Sequence, residues 1–344
     1  MRGWFGPFRL DRQVGRGGFG AVWRAIDSRT GATVALKILP PGGDPKQAER
    51  TRREFSELRQ IRHPNLVRLL DAGEAGGTHW LSMEFIEGMG VREWLTVAGR
   101  PVPLEPDEGE VTSEGVDLDA LYDEPDSGAL LAAAKARRFL TLSGLDHELP
   151  QEKQQELNAP GRLLALCEAL AQIADGLAVV HAAGLVHRDV KPGNILVDSA
   201  RKAVLVDFGL LKRVSEQESV SGNVVGTYRY MAPEQARGER VDLRADLYSL
   251  GATLYELLAG RPPFPHTAQF ALMEAVVGEM PTEIPAINPG APIALCALAH
   301  RLLSKAPQSR PGSAAEVSAM LRAQGLRVLP GVPPCSAALT RPSV

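Results

Sequence analysis

The 344-residue sequence predicts an α+β fold in which a small antiparallel sheet with one main helix precedes a larger, mostly helical region. Two observations lead to this fold class. Between residues 8 and 39, β-favouring runs alternate with turn residues, which is typical of an antiparallel meander. From residue 162 onward, apolar residues instead recur at steps of three and four, which is the period of a helix. The change of period predicts two lobes, at about residues 8–86 and 87–325.

The first lobe is predicted to contain strands at 21–26, 33–39, 67–71 and 80–85. Its main helix should begin at Asp44, which can act as an N-cap, followed by a first-turn proline at Pro45. Apolar residues at 55, 58 and 61 share one face of this helix, which should end near Pro64.

The second lobe opens with a strongly periodic segment that predicts one helix with a buried stripe. The residues of the stripe are Leu163, Leu166, Leu170, Ile173, Leu177 and Val180. Short strands are predicted at 195–197 and 204–206, and a further helix should carry Leu250, Leu254, Leu257 and Leu258.

Residues 101–160 form an acidic insertion between these regions. This segment has fourteen Asp/Glu against four Lys/Arg, a balance of −10, so the rest of a chain of net charge −3 carries +7. Its first half is rich in proline and acid and is expected to be disordered, whereas residues 128–142 could form one helix. Residues 326–344 are predicted to be a proline-rich tail or linker.

Composition gives no support for nucleic-acid or membrane-surface binding, since the net charge is −3 and the pI is near 6.2. The three cysteines are widely spaced and form no C-x-x-C pair, which favours a reduced, cytoplasmic setting without a zinc site. We find no signal-peptide pattern and no run of about 18 apolar residues, so no membrane span is expected.

A glycine-rich segment has the spacing G-x-G-x-x-G-x-V between two predicted strands, with Gly15, Gly17, Gly20 and Val22 at the fixed positions. Without side chains there, backbone N–H groups can close over phosphates. A hairpin that needs glycine only for its turn fits this feature equally well. A dinucleotide-binding fingerprint does not fit, because that motif opens a helix and this one is followed by a strand.

Lys37 lies in the otherwise apolar run Val34-Ala35-Leu36-Lys37, where an ammonium needs a counter-charge or a ligand phosphate. Glu54, on the predicted helix, is the candidate counter-charge. Three neighbouring arginines offer Glu54 an alternative pairing on a solvated face.

The most specific signal is a pair of blocks, His187-Arg188-Asp189-Val190-Lys191-Pro192-Gly193-Asn194 and Asp207-Phe208-Gly209. With these blocks, residues 8–325 resemble the eukaryotic-type protein kinase family, most like its bacterial members, interrupted by the acidic insertion. The resemblance implies a two-lobed protein kinase fold that uses ATP and Mg²⁺, with Mn²⁺ as an alternative.

By this resemblance, Asp189 accepts the proton of a substrate hydroxyl and Lys191 neutralises charge on the transferring phosphoryl group. Asn194 and Asp207 would hold the metal. The implied ATP-binding residues are Val14, Gly15, Gly17, Gly18, Phe19, Gly20, Val22, Ala35, Lys37, Met83, Glu84 and Ile86, the last three forming a hinge for adenine.

The segment Gly226 to Glu234 resembles the family's substrate-docking loop, with Thr227 expected to hydrogen-bond near Asp189. Lys191 is similar to the lysine of serine/threonine kinases, so the implied partners are proteins that carry Ser or Thr. The residues with implied structural roles are His187, Arg188, Phe208, Glu234, Asp246 and Arg310, of which Asp246 anchors the catalytic loop and Arg310 pairs with Glu234.

Two regulatory hypotheses follow from the sequence. Phosphorylation of Ser219, Ser221 or Ser215 could order the activation segment, residues 207–234, through Arg188. The acidic insertion could dock a partner or act as an inhibitory flap, and a tolerated disordered insertion is the other interpretation.

Two other functions compete with the active protein kinase. A binding scaffold of the same fold would lack catalytic residues, but Lys37, Glu54, Asp189, Asn194 and Asp207 are all in place. A small-molecule kinase would share the two aspartates but resembles this chain poorly between residues 226 and 234.

Overall fold

The first lobe is an antiparallel sheet, as the alternating pattern predicts. The computed structural model describes residues 3–17, 20–39, 59–98, 148–207, 212–213 and 228–328. The strands of the first lobe are β1 (Trp4–Phe5), β2 (Phe8–Gly17), β3 (Gly20–Asp27), β4 (Thr33–Ile38), β5 (Leu69–Ala75) and β6 (Thr78–Glu84). They form one sheet in the order β1-β2-β3-β4-β6-β5. All pairs are antiparallel.

One face of this sheet buries the apolar residues that alternate along its strands. The buried cluster contains Phe8, Ala25, Val34, Leu36 and Trp80, and the Phe8 and Trp80 rings meet edge to face at 4.7 Å. The predicted strands are therefore confirmed, with ends that differ by a few residues. The predicted main helix lies outside the described residues, except for residues 59–64 at its expected end.

The second lobe is mostly helical. Its helices are α1 (Val91–Ala98), α2 (Gln151–Leu157), α3 (Pro160–Ala182), α4 (Pro233–Ala236), α5 (Arg244–Ala259), α6 (Gln269–Gly278), α7 (Ile284–Ile287), α8 (Ile293–Leu302) and α9 (Ala314–Val328). The short strands are β7 (Gly88–Gly90), β8 (Leu185–Val186), β9 (Ile195–Asp198), β10 (Ala203–Leu205) and β11 (Lys212–Arg213). A small antiparallel sheet, β10-β9-β7, joins the chain that leaves the first lobe to the centre of the second.

Helix α3 is the central helix of the second lobe. Pro160 stands at its first turn, where a missing N–H costs nothing, and every residue of the predicted stripe is buried. Small residues such as Ala165, Ala169 and Gly176 are buried as well, so the helix is covered on more than the one predicted side. By length and composition alone α3 could cross a membrane, but two thirds of its apolar window is buried against the rest of the lobe.

The last part of the predicted insertion belongs to the folded lobe. Helix α2 lies within residues 101–160 and buries Leu157, and the Leu149 N–H donates to the Ile287 carbonyl at 2.8 Å. The guanidinium of Arg162 joins α2 to α5 by donating to the Leu157 and Leu257 carbonyls, each at 2.8 Å. Residues 148–160 therefore differ from the expectation of an insertion outside the lobe. Residues 101–147, including the helix predicted at 128–142, lie outside the described ranges.

The tail also differs from its predicted start, because α9 continues to Val328 instead of ending at 325. Its contacts with α3 extend the core of the lobe, and the remaining residues 329–344 are not among those described.

The two lobes are joined through the segment before β5. Leu66 forms a bridge with Leu205, the Val67 N–H donates to the Leu205 carbonyl at 3.0 Å, and the Leu205 N–H donates to the Asn65 carbonyl at 2.9 Å. These bonds hold the sheet of the first lobe against β10, and β10 leads directly to Asp207.

Candidate active site

The backbone around Asp189 is held in an unusual conformation. Arg188 has φ of +67°, a region that costs about 1 kcal/mol or more for a residue with a side chain. The Asp246 carboxylate, at the start of α5 and fully buried, accepts the His187 N–H at 2.8 Å and the Arg188 N–H at 2.7 Å. These two bonds fix the turn and determine where Asp189 lies.

The carboxylate of Asp189 is surrounded by donors from its own loop. Lys191 Nζ lies 2.9 Å from both carboxylate oxygens, and Asn194 Nδ2 donates to Oδ2 at 2.8 Å and to the Asp189 carbonyl at 2.9 Å. Pro192 opens a short 3-10 turn that positions Asn194. With 8% of its surface exposed, Asp189 is held in one orientation at the edge of the cleft.

Lys37 of the first lobe and Asp207 of the second form an ion pair. Lys37 lies on β4, is 4% exposed, and its Nζ is 2.6 Å from Asp207 Oδ1. Asp207 follows β10 with φ of +71°, and the neighbouring Val206 N–H donates to the Asn194 carbonyl at 2.8 Å. Lys37, Asp189, Asn194 and Asp207 therefore belong to one connected site.

Two buried histidines share the Asp246 anchor. His181 Nε2 lies 2.8 Å from Asp246 Oδ2. Burial by itself would raise the pKa of Asp246, but the hydrogen bond and charge of His181, with the His187 backbone bond, hold it below its ordinary value. Burial lowers the pKa of His187, whose Nδ1 faces the Asp189 N–H at 3.4 Å as an acceptor. The folded protein therefore favours a neutral His187 beside an ionised Asp246.

The glycine-rich motif forms the β2–β3 hairpin. Gly15 pairs with Val22 and Gly17 with Gly20, in the predicted strand-turn-strand context. Gly20 has φ of +114°, and a Cβ there would lie 2.1 Å from the Ile38 carbonyl oxygen, so only glycine fits. Val14 lies on β2, directly before Gly15, whereas Gly18 and Phe19 lie outside the described residues.

An apolar cluster lies next to the hinge. Ala35 pairs with Met83 across β4 and β6, as Val34 does with Glu84. Ala35, Met83 and Ile86 pack with Val67, Leu69, Val204 and Val206 in one group. The predicted nucleotide-binding residues Ala35, Met83 and Ile86 are thus contiguous with Val204 and Val206, which were not predicted.

The buried pair below the docking loop is bidentate. Arg310 donates to both carboxylate oxygens of Glu234, at 2.6 and 2.8 Å, and the two side chains are 0% and 4% exposed. Tyr230 lies in a 3-10 turn at 228–230, and its carbonyl accepts a hydrogen bond from the Ser249 hydroxyl at 2.7 Å. The end of the docking loop is therefore fixed to α5 and to the segment before α9.

Several predicted site residues lie outside the described residues, so their roles remain predictions. They are Glu54, Phe208, Ser215, Ser219, Ser221 and Thr227, together with Gly18 and Phe19. Three features were not predicted from the sequence. They are the direct Lys37–Asp207 ion pair, the packing of Val206 in the apolar cluster, and the contact of His181 with Asp246. The position of Val206 directly before Asp207 was a usable signal, whereas His181 lies on a helix that was recognised only by its apolar stripe.

The donors at this site fit a hard divalent cation. Asn194 Nδ2 is hydrogen-bonded to Asp189, so Asn194 Oδ1 is the atom of the amide left to act as a metal ligand. Asp207 supplies a carboxylate that is a third exposed. No group of three or more His, Cys, Asp or Glu suited to hold a metal occurs within the described ranges. Two protein oxygens completed by phosphate oxygens and water are the arrangement typical of Mg²⁺ with a nucleotide.

Comparison with known proteins agrees with this geometry. A family model described as protein tyrosine and serine/threonine kinase matches residues 8–320. The serine/threonine-protein kinase pkn2 of Myxococcus xanthus is 33% identical over 92% of this chain and 32% of its own length. PknE of Mycobacterium bovis is 32% identical over 93% of this chain and 46% of its own length.

The fold also agrees with solved structures. The PknI kinase domain of Mycobacterium tuberculosis superposes with a TM-score of 0.57 at 24% identity, covering 93% of this chain and 97% of that domain. The two-lobed architecture and the connected site define a protein kinase domain. The chain belongs to the protein kinase family, whose members use ATP and a divalent metal. It spans about a third to a half of the length of the curated relatives that it matches.

Proposed function

We propose that this chain is a serine/threonine protein kinase that transfers the γ-phosphate of Mg-ATP to a Ser or Thr hydroxyl of a protein. The observation that carries the proposal is the connection of Asp189, Lys191, Asn194, Asp207 and Lys37 through hydrogen bonds of 2.6–2.9 Å across the two lobes. Phosphoryl transfer requires mainly positioning and charge neutralisation, and this set of charged and amide groups supplies both.

In the proposed reaction Asp189 accepts the proton of the substrate hydroxyl. The hydroxyl oxygen then bonds to the γ-phosphorus as the bond between that phosphorus and the leaving ADP oxygen breaks. Lys191, which contacts both Asp189 oxygens, keeps the carboxylate in place and offers positive charge to the phosphoryl oxygens. Lys37, which belongs to the first lobe, binds phosphate oxygens of ATP. When bound through Asn194 and Asp207, the metal neutralises negative charge on the phosphates. Mg²⁺ is proposed with Mn²⁺ as the alternative, because an oxygen-only donor set suits both cations.

The proposed serine/threonine class is supported by Lys191 and by the bacterial relatives, which are named as serine/threonine-protein kinases. The test is transfer from labelled Mg-ATP to a mixture of Ser-, Thr- and Tyr-containing proteins, with Asp189→Asn in parallel. We expect labelled Ser and Thr only, and a loss of about 10²–10⁴-fold in the variant. Equal, negligible labelling by both forms would support a binding scaffold instead.

Asp207→Asn is expected to remove transfer for a different reason, because it weakens both the metal site and the contact with Lys37. Raising the metal concentration should restore part of its activity, whereas Asp189→Asn should not respond. The same response in both variants would contradict the separate roles.

Autophosphorylation of the activation segment is proposed at Ser219, Ser221 or Ser215. Its support is the position of Arg188 directly before Asp189, which would let a phosphate on that segment act on the catalytic loop. Intact-mass measurement and peptide mapping after ATP incubation test this, with Asp189→Asn as the control. Unmodified serines in an active enzyme would exclude it.

Residues 101–147 are proposed to dock a partner of positive charge, on the evidence of their eleven Asp/Glu against three Lys/Arg, a balance of −8. Deletion of residues 103–146 is the appropriate test, since a deletion that continued into 148–157 would also remove packed residues of α2. Unchanged rates and unchanged substrate choice would favour a tolerated insertion.

A further inference from the structure

Three side chains from different elements meet beside the docking loop. Arg92 comes from α1, Tyr230 from the 3-10 turn of the docking loop, and Glu256 from α5. Arg92 Nε donates to Glu256 Oε1 at 2.7 Å, and an Nη of Arg92 donates to the Tyr230 hydroxyl oxygen at 2.9 Å. The Tyr230 hydroxyl donates to Glu256 Oε2 at 2.5 Å. We refer to these three residues as the Arg92 cluster.

The position of the Arg92 cluster relates it to the substrate. Helix α1 contacts the 3-10 turn that ends at Asn194, and Tyr230 belongs to the docking loop, so the cluster connects an element beside the catalytic loop to the docking loop. The Tyr230 backbone is held to α5 through Ser249. Because Tyr230 belongs to the docking loop, we expect a protein segment that lies along this loop and presents a hydroxyl to Asp189 to pass near the cluster.

The layering of the charges indicates what the Arg92 cluster does. The side chain of Glu256 is 12% exposed, whereas that of Arg92 is 51% exposed, so the arginine lies over the carboxylate. A carboxylate at such a depth, with a tyrosine hydroxyl on one oxygen, is a good site for a guanidinium or ammonium group, because screening by water is reduced. In this chain a residue of the protein itself fills that site. Burial raises the pKa of Tyr230 above its ordinary value, so the hydroxyl remains a neutral donor.

We propose that Arg92 is a specificity-determining residue: it occupies an anionic subsite that Glu256 and Tyr230 would otherwise offer to a basic side chain of the substrate. The wild-type chain then does not select Arg or Lys at the substrate position that passes the cluster. This inference rests on the proposed protein kinase function, and it adds a determinant of substrate choice within the same cleft.

The first experiment compares peptides that differ only by arginine or its neutral isostere citrulline, scanned along the positions around the acceptor. For wild type, we expect the kcat/KM ratio of arginine to citrulline to stay within about threefold at every position. In Arg92→Ala the ratio should rise about ten- to hundredfold at one position, through KM and not kcat, since an exposed carboxylate gains a charge-assisted bond. Adding Glu256→Gln should remove the gain.

Arg322→Ala is the matched control. Arg322 is 52% exposed and lies 2.5 Å from Asp175, which closely resembles the Arg92–Glu256 pair, but it is on α9, away from the docking loop. Its peptide preferences should equal those of wild type. If Arg92→Ala melts well below wild type, Arg92→Gln replaces it, because glutamine retains the stem and donors without the charge.

The second experiment measures binding without transfer. Peptides with alanine at the acceptor position are titrated into the same variants, each carrying Asp189→Asn. Arg92→Ala should bind the arginine peptide at least about tenfold more tightly than the citrulline peptide, and the difference should shrink as salt is raised. If the chain with Asp189 transfers no phosphate, but Arg92→Ala in the Asp189→Asn background still binds the arginine peptide more tightly, the proposed activity is contradicted and the subsite is supported.

Two results would overturn the inference. One is an arginine-to-citrulline ratio in Arg92→Ala equal to that of wild type in both experiments. The other is a gain that persists when Glu256→Gln is added, because the carboxylate would then not be its source.

Discussion

Replacing Arg310 by methionine should destabilise the protein strongly, because this change leaves a buried carboxylate without its cation. Arg310 makes two bonds to Glu234 and further bonds to the carbonyls of Ser304, Arg244 and Lys305. Breaking a buried ion pair from one side costs about 3–5 kcal/mol. For a domain of this size 1 kcal/mol corresponds to about 2–4 °C, so Tm should fall by roughly 6–20 °C.

Thermal unfolding followed by two probes measures this effect and tests whether unfolding is two-state. A double-mutant cycle with Glu234→Gln separates the pair from its surroundings. The double variant should be more stable than the sum of the two single losses requires, since removal of both charges leaves no unpaired ion. Arg322→Ala serves as the exposed comparison and should cost no more than about 1 kcal/mol.

A Tm of Arg310→Met within about 2 °C of wild type would refute this reasoning. Strict additivity in the cycle would also refute it, because the loss would then come from packing alone. Packing does contribute, as the Arg310 guanidinium lies 5.0 Å from the centre of the Tyr248 ring.

Three further predictions follow from the structure. Lys37→Met should reduce transfer by at least about 10³-fold but change stability by less than about 1 kcal/mol, because Asp207 is a third exposed and water screens its charge; a collapsed Tm would contradict this. Gly251→Ala should cost about 1–3 kcal/mol in Tm measurements, since its Cβ would lie 2.4 Å from a neighbouring helix, whereas Gly278→Ala, with no atom within 4 Å, should be near neutral. Tm should fall from about pH 7 to pH 5, because His187 binds a proton near the ordinary histidine pKa of 6.5 in the unfolded chain, whereas its pKa is lowered in the folded protein. His187→Phe should reduce the slope of Tm against pH, and an unchanged slope would exclude His187 as a source of the pH dependence.

Local sequence patterns predicted strands β3 to β6, β9 and β10 and helices α3 and α5. The alternation of apolar residues in β3 and β4 and the three-and-four spacing in α3 depend on periods of 2.0 and 3.6, which a single segment displays without its neighbours. The same holds for the side chains of the catalytic loop, because Asp189, Lys191 and Asn194 are close in sequence and bond to one another.

What the sequence left undecided depends on contacts between distant residues. It supplied Lys37, but the bond to Asp207 joins positions 170 residues apart, and no local period encodes it. The predicted insertion was bounded by composition alone, whereas packing of Leu149 and Leu157 assigns residues 148–160 to the second lobe.

The Arg92 cluster illustrates the same limit most clearly. Arg92 and Glu256 are 164 residues apart, and each resembles ordinary surface charge when read alone. The sequence by itself determined which chemical groups the protein carries and which local elements hold them. Only the tertiary structure decided which charges meet, because burial and pairing are properties of the space between elements and not of any one segment.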